Sequence, residues 1–105
     1  MAEAKMIEHK LIVTIVNKGK SSKVVRASQS AGAGGGTILD GHGAAVQLML
    51  GFSVEPEKEI VLTLVEAHKA SGVLDAIVKE LDLNEPNKGI SFVIPLDEVV
   101  GIRRE

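Results

Sequence analysis

The sequence predicts an α+β domain built as strand, helix, strand, strand, helix, strand. Three observations carry that prediction. Residues 9–17 and 59–66 are runs rich in β-branched and apolar side chains, with apolar residues on both faces of each run. Residues 21–31 and 70–81 instead repeat their apolar residues at helical spacing. Short polar and glycine-bearing breaks, such as 17–20, 32–36 and 84–89, separate these segments. At 105 residues the chain has the size of one domain, so 1–105 is read as a single unit. Residues 1–8 form an N-terminal tail and 97–105 a C-terminal tail.

The elements follow in order. His9 to Asn17, with Leu11, Ile12, Val13, Ile15 and Val16, reads as a central strand. Asn17 to Lys20 breaks it, and Ser21 or Ser22 is expected to cap the first helix through a side-chain oxygen. Val24, Ala27 and Ala31 share one face of that helix, away from Lys23, Arg26 and Gln29. Gly32 is its natural stop, because glycine accepts a positive φ. Thr37 to Asp40 is a short strand, followed by Gly41-His42-Gly43 and an irregular stretch over 44–58.

Glu59 to Glu66 is the second long strand, with Ile60, Leu62 and Leu64 opposite in facing to Val61, Thr63 and Val65. The second helix spans about 70–81, striped by Val73, Leu74, Ile77, Val78 and Leu81. Residues 84–89 make a turn, and Ile90 to Leu96 is the last strand, where Pro95 marks an end or an edge. This order is the split β-α-β pattern of ferredoxin-like folds. Right-handed crossovers then place both helices on one face of a four-stranded antiparallel sheet.

Two short helices cover only one sheet face, yet both faces are apolar. Leu11, Val13 and Ile15 would lie with Ile60, Leu62, Leu64, Ile90, Phe92 and Ile94. Ile12, Thr14 and Val16 would lie with Val61, Thr63, Val65 and Val93. A sheet with a wet face normally alternates apolar and polar residues. An uncovered apolar face marks an interface, so a homo-oligomer packed through its sheets is expected.

Composition excludes several functions. There is no cysteine, so disulfides, thiolate nucleophiles and zinc-thiolate sites are ruled out. The net charge of -2, with no Trp or Tyr and only two Phe, argues against direct nucleic-acid binding. No apolar run reaches the ~20 residues a membrane span needs, and residues 1–10 carry too many charges for a signal peptide. The expected setting is cytoplasmic.

The glycines at 32 and 34–36 follow a helix and precede a strand, the reverse of a phosphate-binding loop, so they read as a turn. His9, His42 and His68 lack ligand spacing, and no metal site is assigned. Glu55, Glu57 and Glu59 precede a strand and are expected to face water, and Ser21, Ser22, Ser28 and Ser30 have no nucleophile-elbow context. No catalytic residue is assigned, so the chain is read as a non-enzyme. Residues 44–52 are unusually apolar for a loop. They either pack back on the domain or order against a partner, with Val46, Leu48, Met49, Leu50 and Phe52 as the contact residues.

Several stretches resemble the nitrogen regulatory P-II family. Lys10 to Val16 with Lys18-Gly19-Lys20 is similar to the family's first strand and turn, and Gly36 to Gly43 to its second strand and Gly-x-Gly loop entrance. Pro56 to Val61 resembles the exit of the T-loop, Asn87 to Val93 the B-loop and last strand, and Val99 to Arg103 the basic C-terminal segment. The resemblance runs over about 9–104.

It implies a homotrimer with an adenine-nucleotide effector (ATP, ADP or AMP) bound between subunits, and a target enzyme, transporter or regulator contacted through the T-loop-like segment 44–58. Nitrogen metabolism is the implied setting. Carried over by position, Gly41 and Gly43 offer backbone contacts, while Lys58, Lys88, Gly89 and Arg103 lie near phosphate, with 84–89 as the B-loop. The chain departs from the family pattern in places. It has no tyrosine for uridylylation, and Ile90 and Gly101 stand where the family has a lysine and an arginine. The alternative reading is a trimeric metal-tolerance protein of related fold.

Overall fold

The structure, a computed structural model, describes residues 7–44 and 56–102. Its elements are β1 (His9–Asn17), α1 (Ser21–Ser30), β2 (Thr37–His42), β3 (Glu57–Glu66), a 3₁₀ turn (Ala67–Lys69), α2 (Ala70–Leu81) and β4 (Gly89–Pro95). The strands form one sheet in the order β2-β3-β1-β4, every neighbouring pair antiparallel. The expected ferredoxin-like architecture is therefore present. β1 and β3, the two longest strands, take the central positions.

Register decides what each face carries. Val13 lies between Leu62 and Phe92, Leu11 between Leu64 and Ile94, and Ile15 between Ile60 and Ile90. Offset by one residue, Ile12 pairs with Thr63 and Val93, and Val16 with Glu59 and Gly89. The second set faces the helices. Ile12, Val16, Val61 and Val65 pack with Val24, Ala27, Val73, Ile77 and Leu81 in the buried core. The first set is the face left open. Its outer residues remain accessible, at 57% for Ile90, 42% for Phe92 and 37% for Leu64. Only Val13, at the centre of the open face, is buried by its own neighbours.

Both helices end on the same backbone device. Gly32 adopts φ +109, its N–H donates to Gln29 O at 3.1 Å, and the Ala33 N–H donates to Ser28 O at 2.9 Å. This is the stop expected at Gly32, satisfying carbonyls that the helix leaves unpaired. At the end of α2 the same role falls to Asp82 at φ 54, with the Leu83 N–H donating to Val78 O at 3.0 Å.

Three local expectations differ. Neither Ser21 nor Ser22 caps α1: Ser21 is already helical, and the N-cap position is Lys20, which makes no side-chain cap. β3 starts at Glu57 and β2 runs on through His42, because Gly41 pairs with Lys58 and His42 with Glu57. The carboxylates of Glu57 and Glu59 therefore sit within a strand and not ahead of it. Strand pairing extended both segments past the point where their own propensity stops.

Two threonines are fully buried on the helix face. Thr14 Oγ1 lies 2.8 Å from Ser91 Oγ, but Thr63 Oγ1 has no partner among the described residues. A buried hydroxyl without a hydrogen bond is a net cost. The near-isosteric Thr63→Val is therefore expected to stabilise the fold by about 1 kcal/mol, read as a higher urea midpoint with an unchanged slope. Among the described residues no helix is long and apolar enough to cross a membrane.

Candidate functional site

One end of the sheet collects Gly41, Gly43, Lys58, Lys88 and Gly89, five of the residues singled out from sequence. β1 ends there at Asn17, β2 ends at His42, β3 begins at Glu57 and β4 begins at Gly89. Register sets Asn17 beside Lys58, and Lys58 beside Gly41. Gly43 closes the same corner by donating its N–H to Pro56 O at 2.6 Å. That N–H is thus engaged within the chain. Both glycines also make room for side chains from β3. A β-carbon on Gly41 would stand 3.0 Å from Ile60 Cδ1, and one on Gly43 would stand 3.1 Å from Lys58 Cε.

Lys58 is held by a side chain that sequence reading passed over. Its Nζ donates to Asn17 Oδ1 at 2.7 Å, and Asn17 Nδ2 donates to Asn87 O at 3.2 Å. Lys58 is in this way tied to the turn that carries Lys88 and Gly89. Asn87 and Gly89 both take positive φ, 64° and 136°. Of the six candidate nucleotide contacts, Gly41, Gly43 and Lys58 lie together, and Lys88 and Gly89 sit across Asn17 from them. Arg103 lies outside the described residues, as do the loop residues Val46, Leu48, Met49, Leu50 and Phe52.

Glu59, expected from the sequence to face water, turns instead to the start of α1. Its Oε1 accepts the N–H groups of Gly19 and Ser21, each at 3.0 Å. A carboxylate from β3 thus supplies the acceptor that Ser21 or Ser22 was expected to provide, and it places negative charge at the positive end of α1. Hydrogen bonds from Ser21, side chain and backbone, hold its carboxyl below the ordinary 4.5; the Gly19 N–H and the Lys18 charge act in the same direction. Lys18 also lies 3.6 Å from Glu57 Oε1.

A lowered folded-state value means that ionised Glu59 stabilises the fold above the unfolded-state pKa. That contribution is lost as pH falls through the folded-state value. Glu59→Gln is expected to be less stable than the unmodified chain at pH 7, with the gap closing below about pH 4.5 in urea titrations at stepped pH.

A cleft of about 330 Å³ opens between the start of α1, the end of α2 and the turn after it. Lys20, Lys23 and Lys88 line it with Asn17, opposed by Glu80 and Asp82. A second, of about 240 Å³, lies at the far end between His9, Gly34, Leu64, Lys69 and Ile102. The first has the donors an anionic group needs, in ammonium groups and an amide. Of the histidines, His9 Nδ1 is 3.0 Å from Ile7 O, and His68 Nε2 is 3.5 Å from Glu66 Oε1. Among the described residues no three His, Asp or Glu side chains are grouped as metal ligands.

Comparison with known proteins gives three kinds of result. A family model described as nitrogen regulatory protein P-II matches residues 9–105. None of the curated proteins matches the chain. Among solved structures, the chain is similar to a Bacillus cereus protein related to NIF3, at 25% identity and TM-score 0.71, covering 92% of this chain and 28% of that one. It thus spans little more than a quarter of that protein's length. It is also similar to Arabidopsis thaliana PII bound to citrate, at 20% identity and TM-score 0.70, covering 91% of this chain and 84% of that one. The B. subtilis GlnK–ATP complex is similar at 17% identity and TM-score 0.68, with 89% and 85% covered.

Proposed function

The chain belongs to the nitrogen regulatory protein P-II family, and on that premise we propose that it is a regulatory homotrimer whose subunit seams bind an adenine nucleotide. It is a P-II-like regulatory protein, and no residue is given a catalytic role. The observation that carries the proposal is the open sheet face. Ile90, Phe92, Ile94 and Leu64 are all exposed on the single chain. Fully burying such side chains is worth roughly 1.5–3 kcal/mol each. Sister chains packed on this face would form seams at the sheet margins, next to the corner that holds Gly41 and Lys58.

In that seam Lys58, Lys88 and Arg103 supply positive charge for phosphate oxygens, beside the strand ends at Gly41 and Gly89. An occupied seam changes the strand ends from which segment 44–58 leaves the sheet. That segment, with Val46, Leu48, Met49, Leu50 and Phe52, carries contact with a target enzyme, transporter or regulator. The similarity to a GlnK–ATP complex supports a nucleotide ligand, and the similarity to a PII bound to citrate supports small-anion chemistry more generally. The family match favours regulation over metal tolerance.

Calorimetric titration with ATP tests the ligand. A charge-assisted bond to phosphate is worth about 1.5–3 kcal/mol, so Lys58→Ala is expected to weaken ATP binding by about tenfold or more. Unchanged affinity in Lys58→Ala, or no binding of millimolar ATP by the unmodified chain, overturns the assignment.

A further inference from the structure

We propose that Asn17 is a positioning residue and a relay: it orients Lys58 and passes any displacement of that ammonium to the turn at 84–89. The inference rests on the reading of Lys58 as an anion contact, and it adds a route by which occupancy there is felt elsewhere in the subunit. An ammonium group only donates and a carbonyl only accepts. Lys58 Nζ at 2.7 Å must therefore face the Asn17 oxygen, and Asn87 O at 3.2 Å must face the Asn17 nitrogen. The two partners fix the amide in one orientation, and neither half can rotate without breaking the other.

The parts joined are far apart in the chain. Lys58 is 41 residues from Asn17, and Asn87 is 70 residues away from it. Lys58 stands where segment 44–58 rejoins the sheet, and Asn87 stands in the turn leading into β4. Within that turn Asn87 holds a φ of 64°, a left-handed position that asparagine tolerates well, and its carbonyl is where the chain of hydrogen bonds from Lys58 ends. Lys58 has three N–H donors and spends one on Asn17. An anion that draws the ammonium aside lengthens that bond, frees the amide to turn, and removes the donor that holds Asn87 O.

Side-chain chemistry separates the two halves. Asn17→Asp keeps an acceptor for Lys58 but sets a carboxylate oxygen against Asn87 O. Asn17→Ala removes both contacts, and Lys58→Met removes only the first. The test is amide hydrogen exchange over residues 84–92 in the ligand-free full chain, with cooperative melting confirming that each variant folds. Lys58→Met is expected to speed exchange in the turn on the order of fivefold, the loss of one ordinary hydrogen bond. Asn17→Asp should do at least as much even though its Lys58 contact survives.

In an Asn17→Ala background, Lys58→Met should add nothing. If Lys58→Met leaves the turn unchanged, or speeds it equally with and without Asn17, the relay is wrong. Because no nucleotide is present, failure here leaves the ATP reading standing. Failure of ATP to bind leaves this coupling standing.

Discussion

Gly89→Ala is expected to destabilise the protein by about 2–4 kcal/mol, through a backbone conformation and a close approach acting together. Gly89 begins β4 at φ +136, a region side-chain-bearing residues rarely enter. A β-carbon there would stand 2.5 Å from Ile15 O, 3.1 Å from Val16 Cγ1 and 3.3 Å from Val16 Cα. Two of those three atoms are backbone, and they belong to β1, which is paired on both sides, by β3 and by β4. The obstacle therefore has little freedom to give. In a domain of this size such a loss lowers the melting temperature by roughly 10–20 °C.

Gly19 provides the control. It also has positive φ, at +94, but a β-carbon there meets nothing within 4 Å. Gly19→Ala should show only the conformational part, about 1 kcal/mol. Equal losses in the two variants would show that the contact with β1 contributes nothing. Gly89 was singled out from sequence for ligand contact, and the structure gives it a packing role regardless. Any binding defect in Gly89→Ala must be measured at a temperature where the variant is folded.

Phe92→Glu is expected to convert the proposed trimer to single chains without unfolding them. Phe92 lies in the middle of β4 on the open face, across from Val13, and is 42% exposed on the isolated subunit. Its replacement leaves the helix-side core of Ile12, Val61, Val73 and Ile77 untouched. In an assembled trimer, however, a carboxylate at that position would be buried among apolar side chains without a partner, at a cost of several kcal/mol per subunit. Circular dichroism should remain that of the folded chain while the sedimenting mass drops to one subunit. An unchanged mass would mean that the β-branched residues serve strand formation on a wet face and that sister chains do not meet there.

Much of the fold was legible because its signals are local. The unbroken β-branched and apolar runs at 9–17 and 59–66 gave β1 and β3, and the spacing of Val73, Ile77 and Leu81 gave α2. Gly32 marked the end of α1, since a left-handed position favours glycine in any context. The two-sided apolar sheet followed from the same runs, which carry apolar side chains toward both faces.

What was not legible depends on partners distant in sequence. The cap of α1 comes from Glu59, 38 residues beyond Ser21, so a serine at the expected place was misleading. Asn17 looked like an ordinary strand breaker, because both of its hydrogen bonds reach segments that only the sheet register brings near. The extra length of β2 and β3 is likewise a product of their pairing. In the candidate site, sequence reading picked out glycines and lysines by position. It could not tell that the Gly43 N–H is already committed to Pro56 O, or that Lys58 is tethered.

Sedimentation equilibrium on the unmodified chain at micromolar concentration is the most direct test of the regulatory account. The account predicts one species of three times the subunit mass, stable to dilution. A species of one subunit at every concentration, with Phe92 and Ile90 left in water, would contradict it and remove the seams in which an effector is proposed to bind.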